Sequence, residues 1–230
     1  MHRVQGGGGA RRRWLFVVGK VKVLALITSC SSRLDKDDDQ AERQVPSMQL
    51  KEWSQLHSGP YGIPERALRS YAYAAAAMDK ALPACGIGWS TLAAIGDVSS
   101  SNATADGAVV ESDGVARPYL RGLDQANPAG AKPIPDTDAG RFDGSEVVDR
   151  TMGPMQMMPS RWEQFATDAD DDGKADPDNM DDATLSAARL LCAAGGDLRQ
   201  PDGWARAVGQ FNSTPGFVER VHERAAVFGR

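Results

Sequence analysis

The stretch from Asp149 to Trp162, DRTMGPMQMMPSRW, combines three local signals within 14 residues. A Gly-Pro pair interrupts regular structure, the polar Gln156 stands among methionines, and Pro159 is typical of the first position of a helix. A buried helix alone does not need this mixture, which indicates one wall of a binding groove. The alternative is a loop that enters a helix and packs its methionines into the core, and this stretch by itself does not decide between the two.

The composition predicts one sizeable folded domain. The chain has 230 residues, of which 41% are hydrophobic, and only the first sixty or so look unlike a globular protein. The formal net charge is −5, and the basic residues beyond residue 60 are scattered. Because binding to phosphates needs clustered Lys and Arg, a nucleic-acid partner is disfavoured.

Residues 1–30 have the pattern of an export signal. Three consecutive arginines precede an apolar run at residues 14–28, which leads into Ser29-Cys30. This pattern resembles a bacterial lipoprotein signal and predicts that Cys30 carries the lipid. Two lysines interrupt the run, and a charge at the centre of an inserted segment costs roughly 2.5–3.5 kcal/mol. The alternatives are an uncleaved membrane anchor and a misassigned start with a cytosolic product.

The cysteine count agrees with export. Of the three cysteines, Cys85 and Cys192 remain as a pair if Cys30 is lipidated, and an oxidising compartment favours a disulfide between them. The alternative is two buried free thiols. No C-x-x-C motif or His-Cys cluster suggests zinc.

Residues 31–62 are rich in Asp, Gln, Ser and Lys, and we expect a solvated, flexible tether there. The folded domain is predicted over residues 63–230. Apolar residues recur every three or four positions, which predicts helices over residues 64–82, 89–99, 182–194, 203–212 and 217–228. Residues 103–148 lack this periodicity, and so long a loop in a compact domain is usually functional. Strand signals are nearly absent, so the fold class is mainly α.

Eight separated segments of the chain carry a resemblance to a known family. They are Ile63-Pro64, IGDVSSSN ending at Asn102, ARPYLRGLD at 116–124, DTDAG at 136–140, DGSEVVDRTMGPMQMMPSRW at 143–162, DADDDGKADPDNMDDA at 168–183, LLCAAGGDL at 190–198 and FNST at 211–214. In this order they resemble the actinobacterial branch of lytic murein transglycosylases of the membrane-bound B type. The resemblance covers nearly everything beyond residue 60.

The resemblance implies a lysozyme-like α-helical domain with a groove for the glycan strands of peptidoglycan. In such enzymes one glutamic acid protonates the oxygen between N-acetylmuramic acid and N-acetylglucosamine. The same group then acts as a base while the muramoyl 6-hydroxyl closes a 1,6-anhydro ring. No organic cofactor is implied. We expect an extracytoplasmic monomer at the cell envelope, held to the membrane by its lipid.

The chain departs from the family at the catalytic position. The family pattern I-G-x-V-E-S reads IGDVSS here, so that Ser99 occupies the position of the glutamate. A serine hydroxyl does not act as a carboxylic acid at neutral pH, and general acid catalysis contributes roughly 10² to 10⁴ in rate. We therefore expect a glycan-binding domain that is catalytically impaired. The alternative is an active transglycosylase that uses another carboxylate, for which Asp97, Glu111 and Asp149 are the candidates. A third possibility is a scaffold that recruits another hydrolase.

The residues expected at the glycan are Ser100, Gly153, Met155, Gln156, Phe211 and Asn212. Gln156 offers both a donor and an acceptor, although it also fits a capping amide. Phe211 stands where the family usually has Tyr, so one hydroxyl is lost.

The spacing Asp168-x-Asp170-x-Asp172-Gly173 is that of a Ca²⁺ loop. The resemblance implies that the loop is closed by Asp182, with Asp181 a near alternative, and that Lys174 contributes only its carbonyl. The other interpretation is an acidic turn that caps the following helix.

Overall fold

The computed structural model describes residues 46–122 and 133–229. These residues all belong to one compact unit, Glu42–Arg230. The predicted signal, the lipidation site Cys30 and the first part of the predicted tether lie outside the described residues. In the described part of the chain no helix has both the length and the apolar character that crossing a membrane requires.

Within the described residues the fold is mainly α, as the sequence predicts. The α-helices are α1 (Lys51–Tyr61), α2 (Glu65–Ala81), α3 (Trp89–Ser100), α4 (Pro159–Phe165), α5 (Met180–Gly195), α6 (Pro201–Phe211) and α7 (Phe217–Phe228). Five of these match the helices predicted from apolar periodicity to within two residues at each end. Short 3₁₀ segments occupy Pro46–Leu50 and Ala105–Gly107.

Helix α5 is the central element of the core. Most of its side chains are buried, and it packs against α2 on one side and α6 on the other. Helix α3 packs against α2 and α7, which brings its C-terminal end towards the start of α7. The predicted disulfide is present: Cys85, in the loop between α2 and α3, is bonded to Cys192 on α5.

The predicted tether is wrong for residues 46–62, which are folded. They form the first 3₁₀ segment and α1, and they pack against α2. Ser47 is fully buried and donates a hydrogen bond to Asp181 Oδ2 at 3.0 Å. The aromatic rings of Trp53 and Trp89 meet at 5.6 Å between centroids. Because these partners are distant in sequence, the polar composition of the segment does not reveal them.

The long irregular region is organised by a few extended pairs. Strands β1 (Val109–Val110) and β2 (Ala116–Arg117) form an antiparallel hairpin that the sequence does not predict. Single bridges join Pro135 to Val148 and Arg121 to Met152. These pairs are too short to leave an alternating pattern of apolar and polar residues.

Gly96 allows α2 and α3 to approach each other, and replacing it by Ala is expected to lower the free energy of unfolding by about 1–3 kcal/mol. A Cβ at this position would overlap the hydroxyl of Tyr71, which is fully buried and donates to Asn102 Oδ1 at 3.0 Å. Urea denaturation measures the change. Gly209→Ala is the control, because a Cβ there meets only Val218 at 3.6 Å and Ala favours the helix. Equal stabilities for the two variants would contradict the prediction.

Candidate functional site

A polar cavity of about 310 Å³ lies between the stretch that precedes α4 and the C-terminal end of α6. It is lined by Ile134, Thr151, Gln156, Met158, Ser160, Arg161, Gln210, Phe211, Asn212, Ser213 and Thr214. Three of the predicted glycan-binding residues, Gln156, Phe211 and Asn212, therefore come together here. Six of the other eight lining residues are polar or charged, and the sequence predicts a role for none of them.

A larger and more apolar cavity, of about 640 Å³, lies between the other end of α6 and α7. It is lined by Trp204 and His222 among others and contains none of the predicted glycan-binding residues. We therefore take the smaller polar cavity as the candidate site, because polar groups that converge on a concave surface are what a hydrophilic ligand requires.

The GPMQ motif forms a tight turn whose two ends are joined by backbone hydrogen bonds. Met152 and Met157 exchange backbone hydrogen bonds at 2.9 and 3.1 Å, and Gly153 has a φ of +68°. A Cβ at Gly153 would overlap the carbonyl oxygen of Pro177, so the position requires glycine. Met155 is fully buried in the core. The prediction that its side chain contacts the ligand is therefore wrong, and the methionines of the turn act as core residues.

Gln156 lines the cavity, but most of its hydrogen-bonding capacity is used within the turn. Its Oε1 accepts from Thr151 Oγ1 at 2.6 Å, and its Nε2 donates to the Gly153 carbonyl at 2.8 Å. Nε2 also lies 3.4 Å from the Leu120 carbonyl. One lone pair of Oε1 remains for a ligand. The amide thus braces the turn and presents an acceptor to the cavity. It does not cap a helix, because the first turn of α4 has no side-chain cap.

Asn212 ends α6 and presents a donor to the cavity. Its Oδ1 accepts from the backbone N–H of Thr214 at 2.9 Å, which fixes the side chain and leaves Nδ2 without a partner among the described residues. The neighbouring Phe211 is partly buried, and its ring lies 6.4 Å from that of Phe217 at an angle of 19°. The ring therefore supplies an apolar surface beside an amide donor.

Ser99 lies one residue before the C-terminal end of α3, and its hydroxyl is enclosed without a hydrogen-bond partner in the described part of the chain. The adjacent Ser100 is buried and joins the end of α3 to the GPMQ turn. Its hydroxyl donates to the Pro154 carbonyl at 2.6 Å and accepts from Ala103 N at 3.0 Å. Ser100 thus holds the end of α3 against the GPMQ turn, and its burial leaves it no direct access to a ligand.

None of the three alternative carboxylates lines the cavity. Asp97 accepts from Asn102 Nδ2 at 3.0 Å and from Arg224 Nε at 2.5 Å. Glu111 pairs with Arg117 in the hairpin at 2.9 Å. Asp149 is fully buried, where it accepts hydrogen bonds from both the backbone and the hydroxyl of Thr137. Each carboxylate therefore has a structural role away from the cavity.

The predicted Ca²⁺ loop brings three carboxylates together. Asp168, Asp170 and Asp172 each offer an oxygen, and these atoms lie within 4.8 Å of one another. Asp170 is 7% exposed, and its carboxyl pKa is raised. The main cause is burial, and the next is the charge of Asp172. Such a cluster of oxygen ligands fits a hard divalent cation. The cluster could therefore hold a metal ion.

Asp182 lies beneath this loop and is fully buried. Its two oxygens accept from the backbone of Ala169 at 2.6 Å and of Asp176 at 2.8 Å. The carboxyl pKa of Asp182 is raised to about 7, chiefly by burial. The two backbone hydrogen bonds lower this pKa, whereas the charges of Asp170 and Asp168 raise it. The near alternative Asp181 is instead bonded to Arg66 and Ser70, at 2.9 and 2.6 Å, so it is not a free ligand.

The structure contains a second acidic cluster, at positions where the sequence predicts only turns. Asp136, Asp138 and Asp149 also offer oxygens within 4.8 Å of one another. The D-T-D spacing was its only signal. Backbone N–H groups of residues 138–140 donate to Asp136, and Thr137 donates to Asp149, so the cluster serves to fold this loop.

Comparison with known proteins supports the transglycosylase part of the resemblance seen in the sequence. Residues 140–222 match the family model described as the transglycosylase SLT domain. Neither curated proteins nor solved structures gave a match. The matched region contains the GPMQ turn, the acidic loop and both walls of the cavity that α4 and α6 provide. This match, together with the mainly α fold, supports a lysozyme-like transglycosylase domain over residues 140–222.

Proposed function

We propose that the domain binds glycan strands of peptidoglycan in the polar cavity and does not cleave them efficiently. The observation that carries the proposal is the chemistry of the cavity. Among its described lining residues there is no Asp or Glu, and the family's glutamate position holds Ser99. A hydroxyl there cannot protonate the glycosidic oxygen at neutral pH.

The groups that line the cavity suit a sugar. Amide and hydroxyl groups match the hydroxyl and N-acetyl groups of the glycan, and the Phe211 ring and Ile134 offer apolar contact. Asn212 Nδ2 has no hydrogen-bond partner among the described residues, so it is a donor available to a sugar. One hydrogen bond of this kind contributes about 0.5–1.5 kcal/mol to binding.

Titration calorimetry with purified glycan strands tests this proposal. We expect saturable binding, and Asn212→Ser is expected to weaken it by about fivefold, because Ser keeps an acceptor for Thr214 but loses the amide donor. Gln164→Ser on the exposed side of α4 is the control and should bind as the unaltered protein does. Absence of saturable binding, or capture of another hydrolase without any glycan affinity, would overturn the proposal.

The acidic loop is proposed to hold a structural Ca²⁺. The ligands would be the carboxylates of Asp168, Asp170, Asp172 and Asp182, with the backbone carbonyl of Lys174. Three of these carboxylates are already gathered, and bound Ca²⁺ would neutralise the charge that burial disfavours at Asp182. The loop precedes α5 directly, so the ion would brace the central helix.

Ca²⁺ at 1 mM is expected to raise the Tm by several degrees over the value in EGTA, because it binds only the folded loop. Asp172→Asn should lose at least half of this rise, since it removes one carboxylate ligand. Asp171→Asn makes the same change in charge at a neighbouring exposed position outside the cluster and should retain the rise. Equal behaviour of the two variants in differential scanning fluorimetry would contradict the assigned ligands.

The domain is proposed to act as a monomer outside the cytoplasmic membrane, anchored through a lipid on Cys30. The disulfide and the transglycosylase match fit an extracytoplasmic location. Labelling of cells with a radioactive fatty acid should mark the protein, and Cys30→Ser should abolish the label. A labelled Cys30→Ser variant would refute the anchor.

A further inference from the structure

The polar cavity contains a single charged residue, Arg161, among its described lining residues. The other polar groups around it are neutral amides and hydroxyls. A cavity with one cation and no carboxylate has a net positive character, so it favours a ligand that carries a negative group.

Arg161 is partly buried, and within residues 46–122 and 133–229 its guanidinium has no carboxylate or carbonyl partner. Two other partly buried guanidinium groups of this domain are paired with carboxylates. Arg66 reaches Asp181, and Arg121 reaches Asp178, each at 2.5 Å. A guanidinium presents a planar fork of donors, and leaving it unpaired in a concave site forgoes strong charge-assisted hydrogen bonds.

The local structure does not explain this arginine. It stands in the first turn of α4, where a helix favours acidic side chains rather than basic ones. The core packing of this turn is supplied by Pro159 and Trp162, both buried. Its guanidinium is therefore available for contact with a ligand in the cavity.

We propose that Arg161 makes the cavity selective for glycans that bear a carboxylate. The inference rests on the proposed glycan binding and names the chemical group that is recognised. Peptidoglycan strands offer this group from two sources. The lactyl ether of muramic acid ends in a carboxylate when the stem peptide has been removed, and the stem peptide carries its own carboxylates when it is present. Chains of N-acetylglucosamine alone have neither.

The test compares three probes of matched length with the folded full chain. They are a neutral chitooligosaccharide, glycan strands stripped of peptide, and strands that retain their peptides. We expect at least one carboxylate-bearing probe to bind about tenfold or more tightly than the chitooligosaccharide, as hydrogen bonds to a charged group allow. Preference for stripped strands identifies the lactyl carboxylate as the source, and preference confined to peptide-bearing strands identifies the stem peptide.

Arg161→Gln should reduce this preference to within about twofold without lowering the Tm. Arg161→Lys, which keeps the charge but not the fork, should retain part of it. Lys80→Gln on the exposed side of α2 removes the same charge elsewhere and should retain all of it. An unchanged preference in Arg161→Gln, or no preference in the unaltered protein, would overturn this inference. Failure of the unaltered protein to bind any of the three probes would instead refute the glycan-binding function itself.

Discussion

Replacing Ser99 by Glu is expected to give the domain transglycosylase activity, with a rate at least about 10²-fold above that of the unaltered protein. The substitution restores a carboxylic acid at the end of α3, beside the GPMQ turn to which Ser100 is bonded. The new acid would donate its proton to the glycosidic oxygen. It would then accept a proton from the muramoyl 6-hydroxyl as that oxygen closes the anhydro ring. Release of 1,6-anhydro products, measured by mass spectrometry, is the readout.

Ser99→Gln is the matched control for this experiment. Its side chain has nearly the shape of Glu but no acidic proton, so it should remain inactive. Adding Phe211→Tyr to Ser99→Glu restores the hydroxyl that the family usually has on the opposite side and should raise the rate further. A Ser99→Glu protein that binds glycan yet releases no anhydro product would show that more than the acid is missing.

Removal of the disulfide is expected to have the largest effect on stability. The bond between Cys85 and Cys192 closes a loop of 107 residues, for which the chain-entropy model gives about 4–5 kcal/mol. The free energy of unfolding of a typical domain is only about 5–15 kcal/mol. The double substitution of both cysteines by Ala should therefore leave the protein close to its unfolding limit at 37 °C, as urea denaturation would measure.

The single variants provide a check on the mechanism. Because either change opens the loop, Cys85→Ala should lose nearly as much stability as the double variant. Both sulfur atoms belong to buried residues, 1% and 4% exposed, so Ala leaves small cavities of similar size in each case. A double variant within about 1 kcal/mol of the unaltered protein would refute the entropic estimate.

Helices with a regular apolar face were predictable from sequence because local spacing determines which side is buried. Helices α2 and α7 are examples. The disulfide was predictable for a different reason, because Cys85 and Cys192 are the only two cysteines besides Cys30. Helix α1 was missed because its stability comes from distant partners. Trp53 stacks against the ring of His57 and meets Trp89, while the composition around it is polar. A polar segment of this kind resembles a tether until the partners are known.

The candidate site was predictable in part. Gln156, Phe211 and Asn212 do converge, because the motifs mark both walls of the cavity. Met155 was misassigned because a motif gives no information on which side of a turn each side chain faces. Arg161 gives no signal in the sequence, since a single arginine near a helix start is common on protein surfaces. It is distinguished by its position in a cavity where no other described residue pairs with it.

The central claim is that this domain holds glycan strands without cleaving them. The most direct test incubates the unaltered protein, loaded with Ca²⁺, with purified peptidoglycan and measures both the bound protein and the soluble muropeptides by mass spectrometry. We predict that protein sediments with the peptidoglycan and that no 1,6-anhydromuropeptides appear above a protein-free control. Release of 1,6-anhydromuropeptides by the unaltered protein would contradict this claim and show that another group supplies the proton.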